Sequence, residues 1–443
     1  MQNAHFVLVG GGLAGALLAA GLGRDGHRVD LYERRSDPGA GNFVGGRSIN
    51  LALSARGIHA LEQLGLAQEV LADAIPMHGR MIHGRDGSLH RQPYDRDPSR
   101  HINSVGRAVL NRVTIAAARK LPNVAVHFNH RCMDVDPARP AARFVREETG
   151  ETVEIAGDAV IGVDGAYSAV RRALQRQERF DYSQQFLAHG YKELTIPPGS
   201  GGEFLMERNA LHIWPRRSFM MIALPNPDGS FTCTLFFPFD GPLSFSSLRT
   251  QSDVSTLFER EFPDAVPLMP TLLDDFFANP TGSMVTVRCA PWHFGGRVAL
   301  VGDAAHAIVP FFGQGANCAF EDCEELRRCL HEQDSRERAF EEYQRRRRPH
   351  AEAIADLAIA NFVEMRDKTA APAFRARKKL ERLLHGWLPG MFVPLYTMIS
   401  FTRIPYAEAR ARAQRQDRAL LTGTAVLLLI FLVVVWRLWA AGG

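Results

Sequence analysis

The chain has 443 residues, enough for about three structural units and for a core that needs neither disulfides nor metal. A hydrophobic fraction of 46% and a charged fraction of 23% are ordinary for a globular protein, which excludes wholesale disorder, collagen-like sequence and a many-span membrane protein. Lys+Arg of 52 against Asp+Glu of 48 leaves a net charge of +4, too weak a balance to argue for nucleic-acid binding.

The N-terminal run Phe6-Val7-Leu8-Val9 is short, lacks a basic lead and runs straight into glycines, so it does not read as a signal peptide. It reads instead as a strand, His5–Val9, that feeds Gly10-Gly11-Gly12-Leu13-Ala14-Gly15 and an Ala- and Leu-rich helix ending near Gly23. In this G-x-G-x-x-G pattern Gly10 permits a tight turn, Gly12 lets backbone N–H groups approach a pyrophosphate, and Gly15 lets helix and strand pack closely. The helix N-terminus adds partial positive charge for phosphates. A second strand, Val29–Tyr32, ends in Glu33, where an acid bonds a ribose hydroxyl and repels a 2′-phosphate. The nucleotide held here is therefore expected to be FAD or NAD, not NADPH.

Further along, Phe144–Arg146 and Thr152–Ile155 flank a turn at Thr149-Gly150, and Phe219–Leu224 and Phe231–Phe237 flank Pro227-Asp228-Gly229. Both pairs predict hairpins. His127-x-x-His130 reads as a strand-end pair rather than a metal site. Gly199–Gly202 reads as a loop, so a second Rossmann unit is not expected. The apolar strand Ala159–Ile161 leads into Gly162-Val163-Asp164-Gly165-Ala166-Tyr167-Ser168-Ala169-Val170-Arg171. A later strand, Val298–Val301, meets Gly302-Asp303-Ala304-Ala305-His306 and continues through Pro310–Asn317 into a helix. Asp303 at a strand end can accept from a ribityl hydroxyl, and the Gly313–Asn317 backbone at a helix start can donate to flavin ring oxygens. From about Ser335 the pattern is helical and basic; Arg345–Arg348 reads as a solvated helix face.

The six cysteines, Cys132, Cys233, Cys289, Cys318, Cys323 and Cys329, include no C-x-x-C pair and are expected to be free thiols in a reducing compartment. From Ala419 to Trp436 no residue is charged, and Val426–Val435 is wholly apolar. About 18 helical residues span roughly 27 Å, close to the hydrocarbon thickness of a bilayer. Trp436 and Trp439 suit an interface, and Arg410, Arg412, Arg415 and Arg418 precede the run. The expectation is a membrane anchor over 419–439 with the catalytic body on the cytoplasmic side; a greasy helix docked on the body or a partner is the alternative.

The glycine fingerprint, the Asp164-Gly165 motif and the Gly302-Asp303 motif, in that order, resemble the single-component aromatic hydroxylases, FAD enzymes that take electrons from NAD(P)H. The resemblance narrows to the members that hydroxylate kynurenine. It does so through Gly46–Ser54, Phe180–Gln185, His212–Arg216 and His306–Gly315, and it covers nearly the whole chain. It implies an α/β fold: a Rossmann-like FAD-binding domain (1–180 and 291–334), a β-sheet substrate domain (181–290), and a C-terminal helical region (335–418) ending in a hydrophobic helix. It implies that FAD is held by Gly10, Gly12, Ala14, Gly15, Glu33, Arg35, Ala52, Arg107, Asp164, Asp303, Ala316 and Asn317. It maps substrate binding onto Arg80, Tyr94, Asn361 and Tyr396. A guanidinium, two phenols and an amide suit an amino-acid carboxylate, and Phe236, Phe311 and Phe312 could wall an aromatic ring. Ala316 stands where the family commonly has methionine, and Phe362 where it commonly has tyrosine.

The implied reaction consumes NADPH and O2 and hydroxylates L-kynurenine to 3-hydroxy-L-kynurenine through a flavin C4a-hydroperoxide, in tryptophan degradation and NAD biosynthesis. The flavin carries the chemistry, so no catalytic side chain and no metal is expected. His306 and Glu364 are polar candidates without an assigned proton role. Two other readings stand beside this one. The chain could hydroxylate a different aromatic acid on the same fold, or be a non-catalytic flavoprotein escort whose tail is the working part.

Overall fold

The computed structural model describes residues 3–39, 50–95, 97–368, 380–381, 383–388 and 390–441. Four sheets organise them. The first has six strands, in the order His293–Phe294, Val298–Leu300, Ala159–Gly162, His5–Val9, Arg28–Tyr32 and Val124–His127. All its neighbours pair in parallel except the edge pair His293–Phe294 and Val298–Leu300. Its central strands are continuous apolar runs because both faces are covered; Phe6, Val7, Leu8, Val160 and Ile161 are fully buried. The helix Leu13–Arg24 is buried along nearly its whole length, between this sheet and the helices Arg107–Arg119 and Gly315–Glu332.

The largest sheet has seven strands, in the order Gly282–Ala290, Asp181–Ile196, Phe231–Pro238, Met220–Pro225, Ala210–Pro215, Gly79–His83 and Leu89–Pro93. It takes its last two strands from residues 79–93, far upstream of the rest. Side chains alternate across the sheet with period two. Trp214, Met221, Leu235 and Phe237 point outward, packed against Phe258, Phe262 and Phe276 of the helices Gln251–Glu261 and Leu272–Ala278. Ile82, Ile213, Met220 and Phe236 point inward to Phe311, Phe312, Phe362 and Met398. Each fully buried Phe stabilises the fold by roughly 1.5–3 kcal/mol. Arg80 shares the inward face with Ile82, so sheet register alone aims a guanidinium into the apolar interior.

Both hairpins form as expected, Ala141–Arg146 with Thr152–Ala156 and Met220–Pro225 with Phe231–Pro238. Their turns use positive φ at Gly150 and Gly229. His127 ends one strand and His130 begins another. All six cysteines are free. The basic helix Arg336–Val363 departs from expectation at one place. Arg347 is not on a solvated face: it is buried and pairs with Asp322 and Glu321, because one position in that four-residue run must point at the body.

Residues 40–49, which include Gly46–Ile49 of the kynurenine-type motif, lie outside the described residues. A single helix, Tyr406–Ala441, contains the uncharged C-terminal run. Among the described residues no helix is long and apolar enough to cross a membrane, so the expected anchor over 419–439 is not supported by them. The side chains at 424, 427, 428, 435, 438 and 439 lie outside the description. Leu421, Leu429, Phe431, Leu432 and Trp436 of that helix are exposed.

Candidate active site

The fingerprint glycines stand where the lack of a side chain is used. Gly10 has φ 109°, and a Cβ there would lie 2.6 Å from the carbonyl oxygen of Val163. A Cβ on Gly15 would lie 1.8 Å from the carbonyl oxygen of Gly10. Around the Cβ position of Gly12 there is open space, as there is at Gly315, so two helix N-termini present bare backbone to one cleft. Ala14, in the first turn after Gly12, is half-buried beside it. Glu33, at the end of the second strand, is buried; its carboxylate accepts from Gly11 N at 2.7 Å and from Arg35 N at 3.0 Å. The Arg35 side chain is exposed at the same rim.

Asp164 and Asp303 close the cleft from the other side. Asp164 Oδ2 accepts from Ala169 N at 2.6 Å, while Oδ1 is buried with no partner among the described residues. Burial raises its carboxyl pKa against the hydrogen bonds that lower it. Asp303 has exposed surface, yet desolvation raises its carboxyl too, opposed by His306 and Arg107. A group both accessible and closely surrounded faces an internal chamber rather than bulk water. The Gln314 side chain meets Ser54 Oγ at 3.4 Å, and the helix start at Gly315 is tied to the strand Asn50–Leu53 through Asn317. Asn317 donates to the carbonyls of Ala52 and Gly313, both at 2.8 Å, and accepts from Ser54 N at 2.9 Å. Ala316, beside it, is half-buried. Open glycine backbone, an orphan buried carboxylate oxygen and an enclosed second carboxylate fit a dinucleotide with hydroxyls and phosphates, as FAD has.

The four residues mapped to substrate gather in one chamber on the inward face of the large sheet. Tyr94 and Tyr396 stack with centroids 5.0 Å apart, and the Arg80 guanidinium lies 4.9 Å from the Tyr396 ring. Arg80 Nε and the Tyr94 hydroxyl are buried, with no hydrogen-bond partner among the described residues. Burial pushes the Tyr94 phenol well above its ordinary pKa, so it is a neutral donor. Asn361 is buried where the helix Arg336–Val363 passes into the π turn Glu364–Lys368, and it donates to the carbonyl of Phe311 at 2.6 Å. Phe311 stacks on Phe362 at 4.2 Å and meets Phe236 at 4.9 Å; Phe312 stacks on Tyr396 at 5.7 Å. Arg80, Tyr94, Tyr396 and Asn361 thus sit in an aromatic box that adjoins the Gly313–Asn317 loop.

His306 turns away from this chamber. It bonds Asp322 at 2.6 Å, and Asp322 in turn accepts from Arg347 at 2.6 Å. His306, Cys318 and Asp322 are grouped closely enough for a metal, but the Arg347 guanidinium occupies that corner, 3.4 Å from Cys318 Sγ.

Sequence reading missed several supports. Gln314 accepts at 2.8 Å from the hydroxyl of Tyr406, which is buried under the Arg56 guanidinium. Nothing local in the sequence marks Tyr406. Ser54 and Gln314 stood in motifs without roles. Leu211, Ile222 and Phe401 join Tyr94 and Tyr396 in one cluster, visible only once strands are paired.

A protein-family model described as FAD binding domain matches residues 4–358. A kynurenine 3-monooxygenase of Myxococcus xanthus (strain DK1622) is 52% identical over 399 residues, 90% of this chain and 86% of that protein. One of Dictyostelium discoideum is 47% identical over 423 residues, 93% and 91% of the two chains. Among solved structures, the tetrameric form of 2-methyl-3-hydroxypyridine-5-carboxylic acid oxygenase superposes with a TM-score of 0.67 at 24% identity, covering 84% of this chain and 95% of its own; at that identity the likeness speaks for the fold alone. The FAD-type cleft, the matching domain model and relatives of this similarity along almost the full length lead to one conclusion: the chain belongs to the kynurenine 3-monooxygenase family of FAD-binding proteins.

Proposed function

We propose that the protein is an NADPH- and FAD-dependent monooxygenase that hydroxylates L-kynurenine to 3-hydroxy-L-kynurenine. The balance is kynurenine, O2, NADPH and a proton giving 3-hydroxykynurenine, NADP+ and water. Bound FAD supplies the redox chemistry, passing electrons from the nicotinamide to O2 so that one oxygen atom reaches the ring. Gly10, Gly12, Ala14, Gly15, Glu33, Arg35, Ala52, Arg107, Asp164, Asp303, Ala316 and Asn317 hold it. The helix start at Gly315 would offer N–H groups to its ring and favour the negative charge of the reduced form.

The chain's own work is binding, orientation and exclusion of water. Arg80 and Tyr94 receive the substrate carboxylate, with Tyr396 and Asn361 beside them, and Phe236, Phe311 and Phe312 wall the aniline ring. The observation that carries this reading is the buried Arg80 Nε and Tyr94 hydroxyl, which have no hydrogen-bond partner among the described residues. Unpaired buried donors cost about 1–3 kcal/mol each, and a carboxylate in the chamber removes that cost. A flavin-bearing preparation supplied with NADPH and kynurenine should form 3-hydroxykynurenine. NADPH use that kynurenine does not stimulate, or equal product from another aromatic acid, would overturn the assignment.

The same reading divides the chain into a flavin-holding unit (1–180 and 291–334), a substrate sheet (181–290) that borrows strands from 79–93, a helical region (335–418) and a tail (419–439). The tail's uncharged run and exposed apolar side chains suit a membrane tether. Fractionation tests it: the full chain should sediment with membranes and a chain ending at 418 should not.

A further inference from the structure

Two short pieces carry the phenols that close the chamber. Tyr94 follows Leu89–Pro93, an edge strand paired on one side only and mostly exposed. Tyr396 lies on the seven-residue helix Leu395–Phe401. The phenols meet face to face, but stacking of two rings leaves sliding and rotation open.

One residue further along each piece there is a polar bond. Thr397 Oγ1 donates to Asp95 Oδ2 at 3.1 Å. The same oxygen accepts from Arg100 Nη1 at 3.1 Å, and Oδ1 accepts from Asp97 N at 3.1 Å. Thr397 is buried, and the Asp95 side chain is 4% exposed. Bonds to an ionised, desolvated carboxylate are stronger and more directional than neutral ones. Successive residues on a helix point about 100° apart, so the Thr397 bond, together with buried Met398 and Ile399, sets the rotation of its helix and hence where the Tyr396 ring lies. Asp95 directly follows Tyr94, just past the end of the strand, so its bond to Thr397 ties down the stretch of chain that carries Tyr94.

We propose that Asp95 and Thr397 are positioning residues that clasp the sheet edge to the short C-terminal helix, and so hold Tyr94, Tyr396 and Arg80 in register around the substrate. Neither touches the guest; both act through the phenols. The inference rests on the assignment of this chamber to kynurenine.

The test uses the full-length flavin-bearing protein with Thr397→Val, Thr397→Ser and Asp95→Asn. Thr397→Val removes the hydroxyl and keeps the shape. It should raise the KM for kynurenine about tenfold, the worth of one charge-assisted bond, with a smaller change in kcat. It should lower the fraction of NADPH recovered as hydroxylated product and shrink the kynurenine-induced rise in Tm, while flavin content stays as in the parent. Thr397→Ser should restore all three. Asp95→Asn keeps the size, loses the charge and should fall between; it is read by the same criteria if Thr397→Val does not fold. A parent-like KM, coupling and Tm rise in Thr397→Val, or in Asp95→Asn where that stands in for it, would overturn the clasp. A parent protein that neither binds nor hydroxylates kynurenine would instead overturn the chamber's assignment.

Discussion

The cleft proposed for flavin and the chamber proposed for substrate adjoin, yet they are built on opposite plans. The cleft is made of backbone: bare N–H groups at two helix starts, glycines against carbonyl oxygens, and carboxylates at strand ends. Most of its parts lie within short stretches of chain, 10–15, 162–171 and 302–317, with Glu33, Arg35, Ala52 and Arg107 outside them. The chamber is made of side chains, drawn from an edge of the large sheet, the Pro310–Phe312 turn, the end of a long helix and a short helix near 400. Backbone sites are intolerant of any added atom, whereas side-chain sites can lose one member and keep their shape. The two should therefore fail differently.

The largest effect is expected in the cleft. Gly15→Ala puts a Cβ 1.8 Å from the Gly10 carbonyl oxygen, an overlap that cannot relax without moving the turn. The purified variant should be colourless and take up no flavin on titration; a yellow, active Gly15→Ala would show that the close approach is not needed. In the chamber, Arg80→Ala should leave flavin content intact and raise the KM for kynurenine roughly tenfold to a hundredfold, as a carboxylate loses its charge-assisted partner. Loss of flavin from that variant would erase the distinction between the two regions.

A smaller effect lies behind the chamber's sheet. His83 joins Asp264 at 2.6 Å and His212 at 2.8 Å, and His212 bonds the Glu207 carbonyl at 2.9 Å. Burial lowers the His212 pKa from 6.5 to about 4. Between those values the unfolded chain binds the extra proton and the folded one does not, so stability is fully present above pH 6.5 and declines as pH falls toward 4. Between pH 7 and pH 5 the change is about 2 kcal/mol. The fall in Tm between pH 7 and pH 5 should be shallower in His212→Asn than in the parent; equal slopes would remove His212 as its source. The smallest effect is at Tyr406→Phe, which deletes the bond to Gln314. It should weaken flavin binding by about 1 kcal/mol, seen as faster flavin loss on dilution, with the kynurenine KM unchanged.

The same contrast explains what the sequence could disclose. The strands His5–Val9 and Ala159–Gly162, the glycine turn and both hairpins are local patterns, readable because each is decided within about ten residues. The placement of Gly10, Gly12 and Gly15 follows from that pattern. Arg80, Tyr94, Asn361 and Tyr396 have no mutual spacing; only family resemblance brought them together, and sheet register is what aims Arg80 inward. Helical periodicity does not say which of four consecutive arginines meets Asp322, so the burial of Arg347 is not visible in the sequence. Tyr406, Asp95 and Thr397 act across separations of 92 and 302 residues, and no local signal carries that.

The central claim is that an oxygen atom from O2 reaches kynurenine in this chamber. Turnover under 18O2 with NADPH, analysed by mass spectrometry, tests it directly. The account predicts 3-hydroxykynurenine carrying one 18O, formed in proportion to NADPH consumed. Unlabelled product, or hydrogen peroxide with kynurenine returned unchanged, would contradict it.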